Sequence, residues 1–267
     1  QFGTAIQLST DGTDLLISAP RETVSQPNEG AVYHFVNQTS THIGDGSTTA
    51  FVPIFTVEKY TRLLVSTDLN TWAFDDSSSP TATTYHVNEA TNTVTLSSTP
   101  AFGETVTISQ YQRAQKIVSQ PVKVEGQFGT SMSLSGTNLA VYSANGNNTI
   151  STTFDKFMED GSTVLNETTF DAGGTSFSAT VNNTGSVQLF SKYDTSYLHN
   201  ETLSYAGATI NDSFGKALAI STQNVYVGAP GVEVVANDSS TRADAGEVYF
   251  YEKTGTSDYW TAKITQD

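Results

Sequence analysis

Acidic side chains outnumber basic ones 27 to 12, so carboxylates are the first place to look for chemistry. Closely spaced oxygens can gather a hard cation such as calcium, and a facing pair of carboxylates can hydrolyse a glycosidic bond. The turn Ser9-Thr10-Asp11-Gly12-Thr13-Asp14 offers the best-spaced oxygens, which makes Asp11 and Asp14 the candidate calcium ligands. The comparable turns Ser135-Gly136-Thr137-Asn138 and Ser221-Thr222-Gln223-Asn224 hold no acid, and calcium is not expected there. The acid pairs Asp75-Asp76 and Glu159-Asp160 fall in turns, where solvation or capping accounts for them. His34, His42, His86 and His199 are dispersed without a common ligand spacing, and His34 reads as a structural histidine. No Gly-x-Ser-x-Gly elbow, His-Glu-x-x-His pair, phosphate loop or dinucleotide fingerprint occurs. The sequence therefore predicts no catalytic residue and no cofactor, with Asp11 and Asp14 the ligands only if calcium is present.

The scaffold that would hold any site reads as β throughout. Hydrophobic residues make up 37% of the chain and charged ones only 15%, with Ser, Thr, Asn and Gly supplying the rest of the polarity. Helix formers are scarce while Val, Ile, Thr, Tyr and Phe are plentiful. A formal charge of −15 repels phosphate backbones and anionic lipid, which argues against nucleic acid and membrane surfaces as partners. There is no cysteine, and the expectation is a bacterial, archaeal or viral surface protein and not a disulfide-bonded animal ectodomain. No apolar run is long enough to span a bilayer as a helix. The chain begins at Gln1 without a signal peptide, and is expected to be processed or a fragment.

Three stretches repeat one another. Phe2-Gly3-Thr-Ala-Ile-Gln-Leu-Ser recurs as Phe128-Gly129-Thr-Ser-Met-Ser-Leu-Ser and as Phe214-Gly215-Lys-Ala-Leu-Ala-Ile-Ser. Each is followed by a short turn and a second apolar run that ends in a small-residue corner. The corners are Ser18-Ala19-Pro20, Ser143-Ala144-Asn145 and Gly228-Ala229-Pro230. A third run then opens on glycine: Gly30-Ala-Val-Tyr33, Gly185-Ser-Val-Gln188 and Gly246-Glu-Val-Tyr249. Alternation of apolar and polar residues marks strands, and the turn dipeptides Asp11-Gly12 and Gly136-Thr137 mark hairpins. Gly and Ala at the corners permit close backbone approach. A unit with an apolar face it cannot cover alone must stack on a neighbouring copy.

The order Phe-Gly, Gly-Ala-Pro, Gly-x-Val-Tyr resembles the FG-GAP repeat, in the form found in bacterial and phage surface proteins and related to the propeller of integrin α subunits. The resemblance covers residues 1–41 and roughly 113–267, and its third copy matches best. It implies propeller blades: the first part of blade 1 over 1–41, a closing strand over 113–127, blade 2 over 128–210, and blade 3 over 211–267. Three blades cannot close a ring, and Tyr259 to Asp267 stands where the family places the strand before the next Phe-Gly. The sequence thus reads as cut from a longer array. FG-GAP blades that bind calcium carry several acids in the hairpin turn, and the turn at Asp11 and Asp14 lacks the leading ones.

Residues 42–112 have a different texture. Gly44-Asp45-Gly46-Ser-Thr-Thr-Ala-Phe51, Arg62-Leu-Leu-Val65, Tyr85-His-Val87, Thr93-Val-Thr-Leu96, Pro100-Ala-Phe-Gly103 and Thr105-Val-Thr-Ile108 are short strands separated by turn signals. They predict a small antiparallel β-sandwich inserted in the first repeat. The block resembles a module common in tail fibres and other structural proteins of tailed phages. A second excursion, 147–183, contains the echo Thr153-Phe154-Asp155 and Thr169-Phe170-Asp171 and predicts a protruding hairpin or extra strands.

Seven Asn-x-Ser/Thr sequons occur, at Asn37, Asn147, Asn166, Asn182, Asn200, Asn211 and Asn237; they would be glycosylated only in a suitable host. Tyr33, Phe35, Phe190, Tyr249 and Tyr251 fall at strand spacing and are expected in the core, while Tyr193, Tyr197 and Tyr259 are expected at the surface. The two resemblances together imply a non-enzymatic structural or adhesion component of a tailed-phage virion, at the tail, fibre or baseplate periphery. Its expected partners are other virion proteins or further copies of itself, and a host surface glycan or protein. A bacterial or archaeal cell-surface adhesin is the alternative, and a polysaccharide-degrading tailspike a further one.

Overall fold

A computed structural model describes residues 1–57, 63–76, 83–120, 126–144, 148–153, 176–181, 184–205, 209, 211–235, 239–253 and 260–264. The regular structure among these residues is all β, with no helix. In chain order the strands are β1 (Ile6–Leu8), β2 (Asp14–Ala19), β3 (Ala31–Ile43), β4 (Ala50–Phe51), β5 (Leu64–Thr67), β6 (Thr71–Phe74) and β7 (Thr84–Asn88). There follow β8 (Thr93–Leu96), β9 (Thr105–Ile117), β10 (Met132–Ser135), β11 (Asn138–Ser143), β12 (Asn148–Thr153), β13 (Ser176–Val181) and β14 (Ser186–Tyr193). The last are β15 (Ser196–Leu203), β16 (Ala217–Ile220), β17 (Asn224–Ala229), β18 (Val234–Val235), β19 (Thr241–Arg242), β20 (Glu247–Lys253) and β21 (Trp260–Ile264). The chain divides into two compact units: residues 1–9, 16–34 and 115–267, and residues 10–15 and 35–114. The junctions expected at 41/42 and 112/113 fall inside β3 and β9, each 13 residues long.

The first unit repeats one design three times. Its sheets have the hydrogen-bonded orders β1-β2-β3-β9, β10-β11-β14-β15 and β16-β17-β20-β21. Between the second and third strands the second sheet carries the hairpin β12-β13 and the third the shorter β18-β19. The Phe-Gly turn enters each sheet by the same bond. The N–H of Gly3, Gly129 and Gly215 donates to the carbonyl of Ser18, Tyr142 and Gly228, at 2.8, 2.9 and 3.0 Å. That register places Ser143, and not the expected Ala144, opposite Ser186 where Ala229 stands opposite Glu247. The structural counterpart of Ala19 and Ala229 is therefore Ser143, and Ala144 takes the place of Pro20 and Pro230.

Adjacent sheets share two cores. Leu16, Val32 and Ile117 of the first sheet meet Met132, Leu139, Val141, Phe190 and Tyr197 of the second around Phe128. Ala140, Val187, Leu189 and Leu203 from the other face of the second sheet meet Val225, Val227, Tyr249 and Tyr251 of the third around Phe214. The second sheet thus has one face toward the repeat before it and one toward the repeat after it. Full burial of a phenylalanine contributes about 1.5–3 kcal/mol, so Phe128 and Phe214 are principal ties between sheets. The first strands lie side by side, β1 with β10 and β10 with β16. Polar side chains bridge them: Gln7 Nε2 donates to the Met132 carbonyl at 3.2 Å, and Ser131 Oγ to that of Gly215 at 2.8 Å.

Glycine is required where the third strand begins. Gly30 and Gly185 have φ of 85° and 81°, and a Cβ there would lie 2.4 Å from the Phe128 oxygen and 2.3 Å from the Phe214 oxygen. The Phe128 N–H donates to the Glu29 carbonyl at 2.8 Å and the Phe214 N–H to that of Thr184 at 2.9 Å. The Phe128-Gly129 and Phe214-Gly215 turns are therefore each seated in the corner of the preceding sheet.

In the second unit the strands run in the order β9-β5-β6-β7-β8-β4. The sequence predicts a purely antiparallel sandwich; instead the strands form one hydrogen-bonded row, and β6 pairs with β7 in parallel. Alternating burial along β7, β8 and β9 sends Tyr85, Val87, Val94, Leu96, Val106 and Ile108 into one core with Trp72 and Phe51. Asn92 pins the segment leading into that core: its side-chain amide donates to the carbonyls of Pro53 and Phe55, and its Oδ1 accepts from the Val57 N–H at 2.8 Å.

Candidate functional site

Three turns of the second unit converge at one end of its sheet. The Gly44 N–H donates to the Glu104 carbonyl and the Gly103 N–H to the Gly44 carbonyl, both at 2.8 Å. Asp68 Oδ2 accepts the Thr105 N–H at 2.8 Å, which brings in the turn between β5 and β6. The turns are held from within by their acids. Asp45 accepts the N–H groups of Ser47 and Thr48 at 2.8 and 2.6 Å and the Thr48 hydroxyl at 2.7 Å. The Thr48 hydroxyl and these N–H groups hold the Asp45 carboxyl well below the usual carboxylate range. The Thr67 hydroxyl and the Ala101 N–H lower Glu104 in the same way. The Gly-Asp-Gly-Ser-Thr-Thr motif is thus a self-capped turn. The turns present apolar side chains outward: Phe102, Leu69 and Ile43 are 88%, 78% and 66% exposed. A polar-rimmed apolar tip on ordered turns is a surface suited to binding.

The sequence contains every piece of this tip, but the meeting of residues 43–48, 67–70 and 100–105 is a long-range fact that no local pattern announces. Asp11 and Asp14 both approach the Thr13 hydroxyl, Asp11 Oδ1 at 2.8 Å and Asp14 Oδ2 at 3.5 Å. Asp11 Oδ1 accepts the N–H and hydroxyl of Thr13 at 3.1 and 2.8 Å, capping its own turn, and Asp14 is buried. Among the described residues no group of three or more His, Asp or Glu is placed to hold a metal ion. His34 is buried with its ring edge-on to Tyr197 at 5.0 Å. His42 contacts the Ser40 hydroxyl and His199 that of Thr202, and burial lowers the pKa of both.

Phe190, Tyr249 and Tyr251 are buried, Tyr33 and Phe35 are half-buried and not in the core as expected, and Tyr193 is exposed. Tyr197 corrects the expectation of a surface residue: it lies in the core around Phe128. Gln115, 82 residues away in sequence, holds it there by accepting the Tyr197 N–H at 2.7 Å and donating to its carbonyl at 2.9 Å. Of the sequons, Asn37, Asn200 and Asn211 are described, and the Asn200 amide is engaged with Ser191 at 2.5 Å. Tyr259, Asn147, Asn166, Asn182, Asn237, Glu159-Asp160 and most of the Thr-Phe-Asp echo lie outside the described residues. The excursion 147–183 contributes the antiparallel pair β12-β13.

The first unit holds a charged cluster beside Phe2. Glu22 accepts from Lys116 Nζ at 2.7 Å and from the Tyr33 hydroxyl at 2.6 Å, and Lys116 lies 5.6 Å over the Tyr33 ring. Burial works to raise the Glu22 carboxyl, but the Lys116 and Tyr33 hydrogen bonds outweigh it and leave its pKa lowered. Two buried acids brace loops. Glu29 accepts the N–H groups of Ser25 and Gln26 at 2.7 and 2.6 Å, and Asp212 accepts from Tyr205 and Thr209. Each of these arrangements orders backbone near a Phe-Gly corner. No protein-family model matches the chain, and no curated protein matches it either.

Proposed function

We propose that this chain is a non-enzymatic structural and adhesion component of a tailed-phage virion, at the tail, fibre or baseplate periphery. The observation that carries the binding part of the reading is the tip built from Phe102, Leu69 and Ile43. Its turns are rigidified by internal hydrogen bonds, so docking would cost little ordering entropy. The virion part rests on the resemblance of residues 42–112 to a tail-fibre module. The three like sheets are read as FG-GAP propeller blades, a reading supported by their side-by-side first strands and by the repeated seating of Phe-Gly. Contact is made through loops on a β scaffold, with no chemical step.

Immunogold electron microscopy of phage particles and cells from the source culture tests this reading. Gold on phage tails is the expected result. Gold confined to cell envelopes would replace it with the cell-surface adhesin, and release of oligosaccharide from host glycan would replace it with the tailspike enzyme. Phage particles carrying Phe102→Asp with Leu69→Asp should attach to host cells at least about tenfold more weakly if the tip is the contact.

A further inference from the structure

The tip of the second unit carries charge of one sign only. Asp45, Asp68 and Glu104 stand in the same three turns as Ile43, Leu69 and Phe102, and residues 43–48, 67–70 and 100–105 contain no lysine, arginine or histidine. The unit's lysine and arginine residues are Lys59, Arg62 and Arg113, all outside these turns. Bonds from the Thr48 hydroxyl and from backbone N–H groups favour the ionised form of Asp45. Those from the Thr67 hydroxyl and the Ala101 N–H do the same for Glu104. The groups that fold the turns thus also fix their negative charge.

The tip is a projection and not a hollow. Phe102 and Leu69 are its most exposed side chains, and a Cβ on Gly103, beside Phe102, would have nothing within 4 Å. The turn of Gly46 supports Phe102 from one side, a Cβ there lying 3.7 Å from the Phe102 nitrogen. Such a projection gains by leaving water only if the partner supplies an apolar hollow to receive it. Closing a contact over the three carboxylates costs desolvation unless cations face them. Anionic envelope polymers and lipid headgroups are repelled by the tip, as by a chain of formal charge −15. A neutral glycan brings hydroxyls but no opposing charge. A folded protein surface can combine an apolar hollow with lysine or arginine at its edge.

We infer that the tip docks on a host-surface protein, in an apolar hollow rimmed by lysine or arginine side chains. Phe102 and Leu69 enter the hollow, and Asp45, Asp68 and Glu104 face the cations around it. The inference rests on the reading of the tip as the point of contact and adds the chemistry of what it contacts.

Flow cytometry of host cells incubated with the labelled 267-residue chain tests it, tip-specific binding being the part that Phe102→Asp with Leu69→Asp removes. That part should vanish when the cells are treated with proteinase K and survive periodate oxidation of their glycans. Raising salt from about 0.1 M, where charges are screened over about 10 Å, to about 0.5 M should weaken it at least about threefold. Asp45→Asn with Glu104→Gln, which keep an acceptor oxygen in each turn, should weaken it by a similar factor and flatten its salt dependence. Because the salt series leaves the turns unaltered, it decides the question even if that variant folds poorly. Binding that survives proteinase K, that periodate removes, or that does not respond to salt would overturn the inference while leaving the tip as the contact. Absence of any tip-specific binding would overturn both together.

Discussion

Phe2 and Phe214 occupy the same place in the same Phe-Gly turn, yet one is 62% exposed and the other 0%. The local structure is not what separates them, since Gly3 and Gly215 make equivalent bonds to their own second strands. The difference lies in the preceding sheet. Phe214 is enclosed between the second and third sheets, while Phe2 rests edge-on against Tyr33 of its own. The motif phenylalanine is thus an interlock between repeats, and what it contributes depends on having a neighbour to lock into.

The largest effect should come from emptying an occupied seat. Phe214→Ala is expected to cost about 3–5 kcal/mol, against less than about 0.5 kcal/mol for Phe2→Ala in dilute protein. Urea unfolding measures both, and similar costs would erase the distinction. Gly185→Ala comes next, at about 3 kcal/mol, because its Cβ would press on the Phe214 backbone. Gly246→Ala should cost only about 1 kcal/mol, the left-handed penalty without a seated neighbour.

Acid sharpens the comparison further. Glu29 stands in the occupied first corner, where Ala245 stands in the third. Burial works to raise its pKa, but the Ser25 and Gln26 hydrogen bonds prevail and lower it from 4.5. A lowered carboxyl pKa means stability that is present above pH 4.5 and lost as pH falls through the folded-state value. Glu29→Gln should therefore flatten the fall in unfolding free energy below pH 4.5, and an unchanged slope would remove Glu29 from the corner's energetics. The smallest effect belongs to the self-capped Asp11 turn: excess calcium or EDTA should move Tm by less than about 1 °C.

The all-β class and the strands of the three repeats were legible because period-2 alternation and turn dipeptides recur at steady spacing. The register of the second repeat was not. Leu139-Ala140-Val141-Tyr142 is buried on both faces, so alternation vanishes, and Ser143 and Ala144 are too alike in size to mark which one forms the corner. Tyr197 reads as a surface residue because it falls outside the strands legible in the sequence, while its partner Gln115 lies on a distant strand. The parallel pairing of β6 with β7 leaves no mark on strands this short. At the tip, Gly44, Asp68 and Phe102 each read as turn residues, and only tertiary structure brings them together.

Amide hydrogen exchange at the three motif phenylalanines tests the interlock most directly. In dilute protein the N–H groups of Phe128 and Phe214, bonded to Glu29 and Thr184 of the preceding sheet, should exchange at least about a thousandfold more slowly than that of Phe2. Exchange at Phe128 or Phe214 as fast as at Phe2 would contradict the account.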